Sequence, residues 1–303
     1  MALAWLFRAK RQGSLTVKKI TSITALCLAL LGPAPAWAQA VREIAWIPMS
    51  DQGAFGPREI RLEASLYRPA GPGPHPVVVF NHGSSGGPIP EIYTETAQVL
   101  AGFLNARGIA LLAPMRRGRG NSQGVNREEP SACTVEAAQR GIVYAAGAVD
   151  AAFAWLRTQP WADMNKVVLA GHSRGGLLGL AYAAGHPGLV RGVVNFSGGW
   201  KNDTCGDADI NLALFNATGQ KSQVPALFLY ARGDGFYADA SMQKYAQVFN
   251  AAGGRADFRL YDMKEANGHL LFKRGLPLWE RDLGKFLVEI GVSATPAQNA
   301  ASR

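Results

Sequence analysis

Val167-Val168-Leu169-Ala170-Gly171-His172-Ser173-Arg174-Gly175-Gly176 is the stretch from which the fold can be read. Its first four residues are apolar and partly β-branched, the pattern of a strand buried on both faces. Gly-x-Ser-x-Gly breaks the run, and the apolar residues 177–184 continue it as a buried helix. A strand, a sharp turn with serine at its tip and a helix together lift a hydroxyl clear of the sheet edge. Strand and helix nearly touch at such a turn, so positions two before and two after the serine have little room for a Cβ. Gly171 and Gly175 meet that demand, and Gly176 lets the helix lie close to the strand. The chain holds 35 glycines in 303 residues, so the pentapeptide alone is a weak signal. Its flanks make it specific.

In that setting Gly-His-Ser-Arg-Gly-Gly resembles the elbow of the α/β-hydrolase superfamily, in its serine esterase and dienelactone-hydrolase-like branches. The resemblance implies an α/β fold: a mostly parallel twisted sheet with helices on both faces. It also implies a serine nucleophile, a histidine base and an acid that orients the base.

The first 38 residues have a different character. Arg8, Lys10, Arg11, Lys18 and Lys19 precede an apolar run at 20–31, too short to span a bilayer. Gly32-Pro33-Ala34-Pro35 breaks it, and Ala36-Trp37-Ala38 fits a small-x-small cleavage site. Residues 1–38 are therefore expected to be a secretory signal peptide, sending the chain to the periplasm or beyond. Its removal would leave 26 basic and 22 acidic residues, a net charge of +4 in place of +9. Apart from Arg116-Arg117-Gly118-Arg119 there is no basic run, so nucleic acid is not an expected partner. Stable membrane insertion is not expected once the leader is gone. Cys133 and Cys205 would remain, and an even pair in an exported chain points to one disulfide. Residues 39–290 fit a single hydrolase domain, and 291–303, rich in Ala, Ser and Gln, read as a disordered tail.

Strands and helices alternate through the body. Residues 43–47 and 60–67 alternate apolar and polar positions, as antiparallel strands at a sheet edge do. Buried strands are expected at 77–80, 109–113, 192–196 and 226–230, with a last one at 257–261. Helices are expected at 94–107, 238–252 and 276–290, and a long one at 134–159, kinked near Gly141 and Gly147. Residues 201–220 read as loop, with Trp200 and Phe215 placed to wall an apolar pocket.

A serine hydroxyl needs a base at neutral pH, and in the resembled fold the chain order is Ser, acid, His. Only His186 and His269 follow Ser173. His186 closes the far end of the elbow helix, too distant to be the base, which leaves His269 in Asn267-Gly268-His269. His82, His172 and His186 are expected to be dispensable for acylation. The acid should end the penultimate strand, where Asp234 stands. Asp239 is its nearest rival and Asp207 or Asp209 a weaker one.

An oxyanion requires two backbone N–H donors. Arg174, after the nucleophile, would supply one. Asn81-His82-Gly83-Ser84 resembles the superfamily's His-Gly-x loop, which points to Ser84 for the other, with Gly83 and Ser85 as alternatives. The segment 115–124 resembles an Arg-Gly-x-Gly-x-Ser-x-Gly loop of acyl-peptidase-like and dienelactone-hydrolase-like relatives. Its arginines are expected to tie carbonyls together beneath the site. No His/Cys/Asp cluster has metal-ligand spacing and no Gly-x-Gly-x-x-Gly opens a helix, so neither metal nor cofactor is expected. The expected partner is a small-molecule ester; oligomeric state is left open. A peptidase of the prolyl-oligopeptidase or acyl-peptidase type is the alternative enzyme, and an inert binding protein the alternative of another class.

Overall fold

In the computed structural model, which describes residues 40–53, 55–84, 93–128, 132–201, 210–264 and 266–294, one sheet carries the whole molecule. These residues belong to one compact unit, Ala36–Arg303. The sheet starts with a hairpin of β1 (Glu43–Gly53) and β2 (Gly56–Tyr67), in which polar residues such as Glu59 and Arg61 alternate with the buried Ile60 and Leu62. β2 pairs antiparallel with β4 (Ala110–Pro114). From there every pairing is parallel, through β3 (His75–Asn81), β5 (Ala162–His172), β6 (Gly192–Phe196), β7 (Pro225–Ala231) and β8 (Arg255–Tyr261). The order across the sheet is β1-β2-β4-β3-β5-β6-β7-β8.

The central strands carry unbroken apolar runs because both their faces are covered. Val77, Val79, Val167 and Leu169 point into one core layer, and Val78, Phe80, Val168 and Ala170 into the other. The first layer packs under α2 (Val135–Leu156), α3 (Arg174–Gly185), α4 (Asn211–Gly219) and α5 (Asp239–Ala251). The second packs under α1 (Gln98–Asn105), α6 (Leu271–Arg274) and α7 (Leu276–Glu289). Burying each such side chain contributes about 1.5–3 kcal/mol, so the sheet is the stiff platform on which the loops at its carboxyl edge are held.

Five expectations change. α2 runs unbroken for 22 residues. Gly141 is there for close approach and not for a kink: a Cβ on it would lie 2.5 Å from the Glu128 carbonyl oxygen. The helix expected from 94 begins only at Gln98, because Ala97 takes a left-handed φ of 52° and Thr94 is held by Glu63. Residues 201–220 contain α4. Trp200 and Phe215 are both fully buried in the first core layer, so neither walls a pocket. Val292, in the expected tail, is also buried, with its N–H donated to the Leu287 carbonyl; residues 295–303 lie outside the described residues. No helix among the described residues is long and apolar enough to cross a membrane.

Candidate active site

The turn between β5 and α3 puts Ser173 at φ 55°, ψ −126°, a region that non-glycine residues seldom adopt. The surroundings leave it no alternative. A Cβ on Gly171 would lie 2.2 Å from the Gly175 carbonyl oxygen, and one on Gly175 would lie 2.0 Å from that of Asn81. The Ser173 N–H donates to the Phe196 carbonyl at 2.9 Å, and the Ser173 carbonyl accepts from Gly176 at 2.9 Å. Ser173 is thus clamped on both sides of its side chain.

His269 sits in a 3-10 turn, Gly268–Leu270, which follows β8. Its Nδ1 lies 2.9 Å from Asp234 Oδ2. A carboxylate only accepts, so Nδ1 carries the proton and Nε2 is left with its lone pair. The other Asp234 oxygen accepts from the backbone N–H groups of Phe236 (2.8 Å) and Tyr237 (3.2 Å), and the side chain is wholly buried. Asp239 lies elsewhere: it opens α5 and accepts from Arg232 and from the Gly233 N–H. Asp207 and Asp209 lie outside the described residues. Asn267 joins the Asp234 and His269 turns, its Oδ1 accepting from Gly235 (3.0 Å) and His269 (2.9 Å).

Ser173, His269, His172, Gly83, Ser84 and Arg119 line one cleft of about 210 Å³, closed further by Tyr93, Phe236, Leu270 and Lys273. Gly83 passes against the serine: a Cβ on it would lie 3.1 Å from that of Ser173. Ser84 lines the same cleft, and Arg174 opens α3 immediately after Ser173. Ser85 lies outside the described residues. The Arg174 side chain turns away, donating to the Lys201 carbonyl.

Arg116 holds the Gly83 loop from below. Its guanidinium donates to the carbonyls of His82 (2.7 Å) and Gly83 (3.3 Å), and as a fork to both Glu128 oxygens (2.6 and 2.9 Å). Both partners of this ion pair are almost completely buried. Burial alone would raise the Glu128 carboxyl, but the charge and hydrogen bonds of Arg116 outweigh it and hold the pKa at about 2. His82 completes the cluster: its Nε2 accepts the Arg116 N–H at 3.0 Å and its Nδ1 donates to Gly83. Burial first, and then the Arg116 charge, push its pKa down to about 3. Arginines tying carbonyls beneath the site were legible in the sequence; the buried acid Glu128 that holds Arg116 was not.

His172 is also pushed to about 3, by burial and then by the neighbouring His269. An unfolded histidine titrates near 6.5, so between pH 6.5 and 3 the unfolded chain binds protons that the folded chain refuses. Stability is then fully present above pH 6.5 and drains away as pH falls. For His82 the slope is about 1.4 kcal/mol per pH unit; His172 faces the cleft, where water softens the effect. Urea unfolding at pH 7 and pH 5 should differ by about 2 kcal/mol or more, and equal stabilities would contradict the neutral buried His82.

Among the described residues no group of three or more His, Cys, Asp or Glu side chains could hold a metal ion. The sequence pattern of the Dienelactone hydrolase family matches residues 62–273, which span the hairpin's second strand, the elbow and the His269 turn. No curated protein matches the chain. Among solved structures, the Pyrococcus furiosus esterase Pf2001 superposes with a TM-score of 0.58 at 14% identity, covering 82% of this chain and 90% of that one. Est1E from Butyrivibrio proteoclasticus, with ferulic acid bound, gives 0.57 at 16% identity over 81% and 98%. The Pyrococcus horikoshii acylaminoacyl peptidase gives 0.59 at 15% identity over 82% of this chain but only 42% of its own. These likenesses show an α/β-hydrolase fold, and the family match decides the rest: the chain belongs to the dienelactone hydrolase family and is a hydrolase acting on esters.

Proposed function

We propose that the chain is an exported serine esterase that cleaves carboxylic esters or lactones through an acyl-Ser173 intermediate. The observation that carries the reading is the 2.9 Å bond from His269 to Asp234 in the cleft that also holds Ser173. With its proton on Nδ1, His269 takes the Ser173 proton on Nε2 as Oγ attacks the ester carbon. The oxyanion that forms is met by the backbone N–H groups of Arg174 and Ser84. As the carbon–oxygen bond to the alcohol breaks, Nε2–H protonates the departing oxygen. Water then loses a proton to Nε2 and attacks the acyl carbon, and Ser173 recovers its proton as the acid leaves.

Purified protein should turn over nitrophenyl esters and leave peptide nitroanilides nearly untouched. A preference for the nitroanilides would favour a peptidase. In the same assay His269→Ala should lower kcat about 10⁶-fold and Asp234→Asn about 10⁴-fold, with Asp239→Asn close to wild type. Full loss on Asp239→Asn together with an active Asp234→Asn would move the acid.

Export rests on the leader-like residues 1–38 and on cysteine use. We place a disulfide between Cys133 and Cys205, which would close a loop of about 70 residues and stabilise the fold by about 4 kcal/mol. Cys133, exposed just ahead of α2 and disulfide-bonded, supports the pairing; Cys205 lies outside the described residues. Denatured, unreduced mature protein should titrate no free thiol, and two free thiols would rule the bond out.

A further inference from the structure

The geometry points to His172 as a positioning residue that sets the distance between base and nucleophile. This rests on the triad reading above and extends it. His172 is the residue immediately before Ser173, so its backbone belongs to the same clamped turn. Its Nε2 lies 2.9 Å from the His269 carbonyl oxygen. A carbonyl only accepts, so Nε2 is the protonated nitrogen and the bond runs from the nucleophile's strand to the base's backbone.

The rest of the ring is packed to hold that bond in place. Its centroid lies 4.7 Å from that of His269, and it stacks on Phe272 at 5.7 Å and 25°. Phe272 is itself buried and stacked on Phe80 of β3 at 4.6 Å. On the other side, Gly83 of the oxyanion loop approaches so closely that a Cβ would lie 3.3 Å from His172 Nδ1. One ring therefore touches three parts of the proposed machinery: the nucleophile's turn, the base's turn and the oxyanion loop.

Other ties on the His269 turn lead to Asp234. Asn267 and Gly268 bind to Gly235 and Gly233, which flank Asp234. They fix His269 against Asp234. His172 is the strut that fixes the same turn against Ser173. A shift of about 1 Å in such a pair costs on the order of 10²-fold in rate, while substrate binding in the cleft need not change.

The test is a substitution series assayed on a nitrophenyl ester. Glutamine places an amide N–H where Nε2 lies, asparagine places it where Nδ1 lies, and phenylalanine keeps the ring without a donor. His172→Phe and His172→Asn should each lose about 10²-fold in kcat with KM nearly unchanged. His172→Gln should return to within a few-fold of wild type. Wild-type kcat in the Asn variant would overturn the proposal, and so would equal losses in the Gln and Asn variants. That comparison stands even where His172→Phe does not fold, since both amides are small and polar. An inactive wild type, or an active Ser173→Ala, would instead sink the triad reading on which the proposal rests.

Discussion

Ser173→Ala is expected to lower kcat about 10⁶-fold, the scale of loss when the nucleophile is removed from a triad that acts as a unit. The fold should survive it. The Ser173 contacts that shape the turn are made by its backbone N–H and carbonyl, not by its hydroxyl. Alanine at φ 55° is no worse placed than serine, since both carry a Cβ. KM for a nitrophenyl ester and the urea midpoint should therefore stay near wild type while turnover disappears. Turnover within tenfold of wild type would mean that the nucleophile is another residue.

The second large effect is expected at Glu128. Glu128→Ala leaves the Arg116 guanidinium buried with its main counter-charge removed, and breaking a buried pair in this way costs about 3–5 kcal/mol. In a domain of this size that lowers Tm by roughly 10 °C. A second experiment separates stability from positioning. Replacing both partners by apolar residues, Arg116→Met with Glu128→Leu, should recover much of the lost stability, because no buried charge is left unpaired. It should not recover activity, since the carbonyls of His82 and Gly83 lose the donor that holds the proposed oxyanion loop. Urea unfolding and ester turnover on the single and double variants decide the point. A double variant with wild-type kcat would show that Arg116 matters only for stability.

The parts of this fold that could be read in advance are those where a short-range pattern has a single structural meaning. Val167 to Ala170 are apolar without a break because β5 is covered on both faces, and Gly171 and Gly175 mark a place where backbone meets backbone. The pairing of Asp234 with His269 could be anticipated because Asp234 ends an apolar strand run, His269 follows the last strand, and the chain order allows few others.

What stayed hidden depends on which distant segments meet. Nothing around Glu128 in the sequence distinguishes it from Glu129; only the passage of α2 over the 128 carbonyl, allowed by Gly141, carries that residue under the Gly83 loop. Trp200 and Phe215 read as pocket walls because their segment is rich in polar residues. Instead Asn211 Oδ1, at the start of α4, accepts the Trp200 backbone N–H at 2.6 Å, and the indole lies fully buried in the core. His172 reads as dispensable because no spacing rule gives a role to the residue beside the nucleophile. Its bond to the His269 carbonyl spans 97 residues of sequence.

The measurement closest to the central claim is the site of the acyl group during turnover. Wild-type protein mixed with excess nitrophenyl ester, quenched in acid within the first turnovers and digested, should yield one peptide heavier by the acyl mass. Fragmentation should place that mass on Ser173. An acyl group found on another residue, or full ester turnover with no acylated peptide under any quench time, would contradict an acyl-Ser173 mechanism.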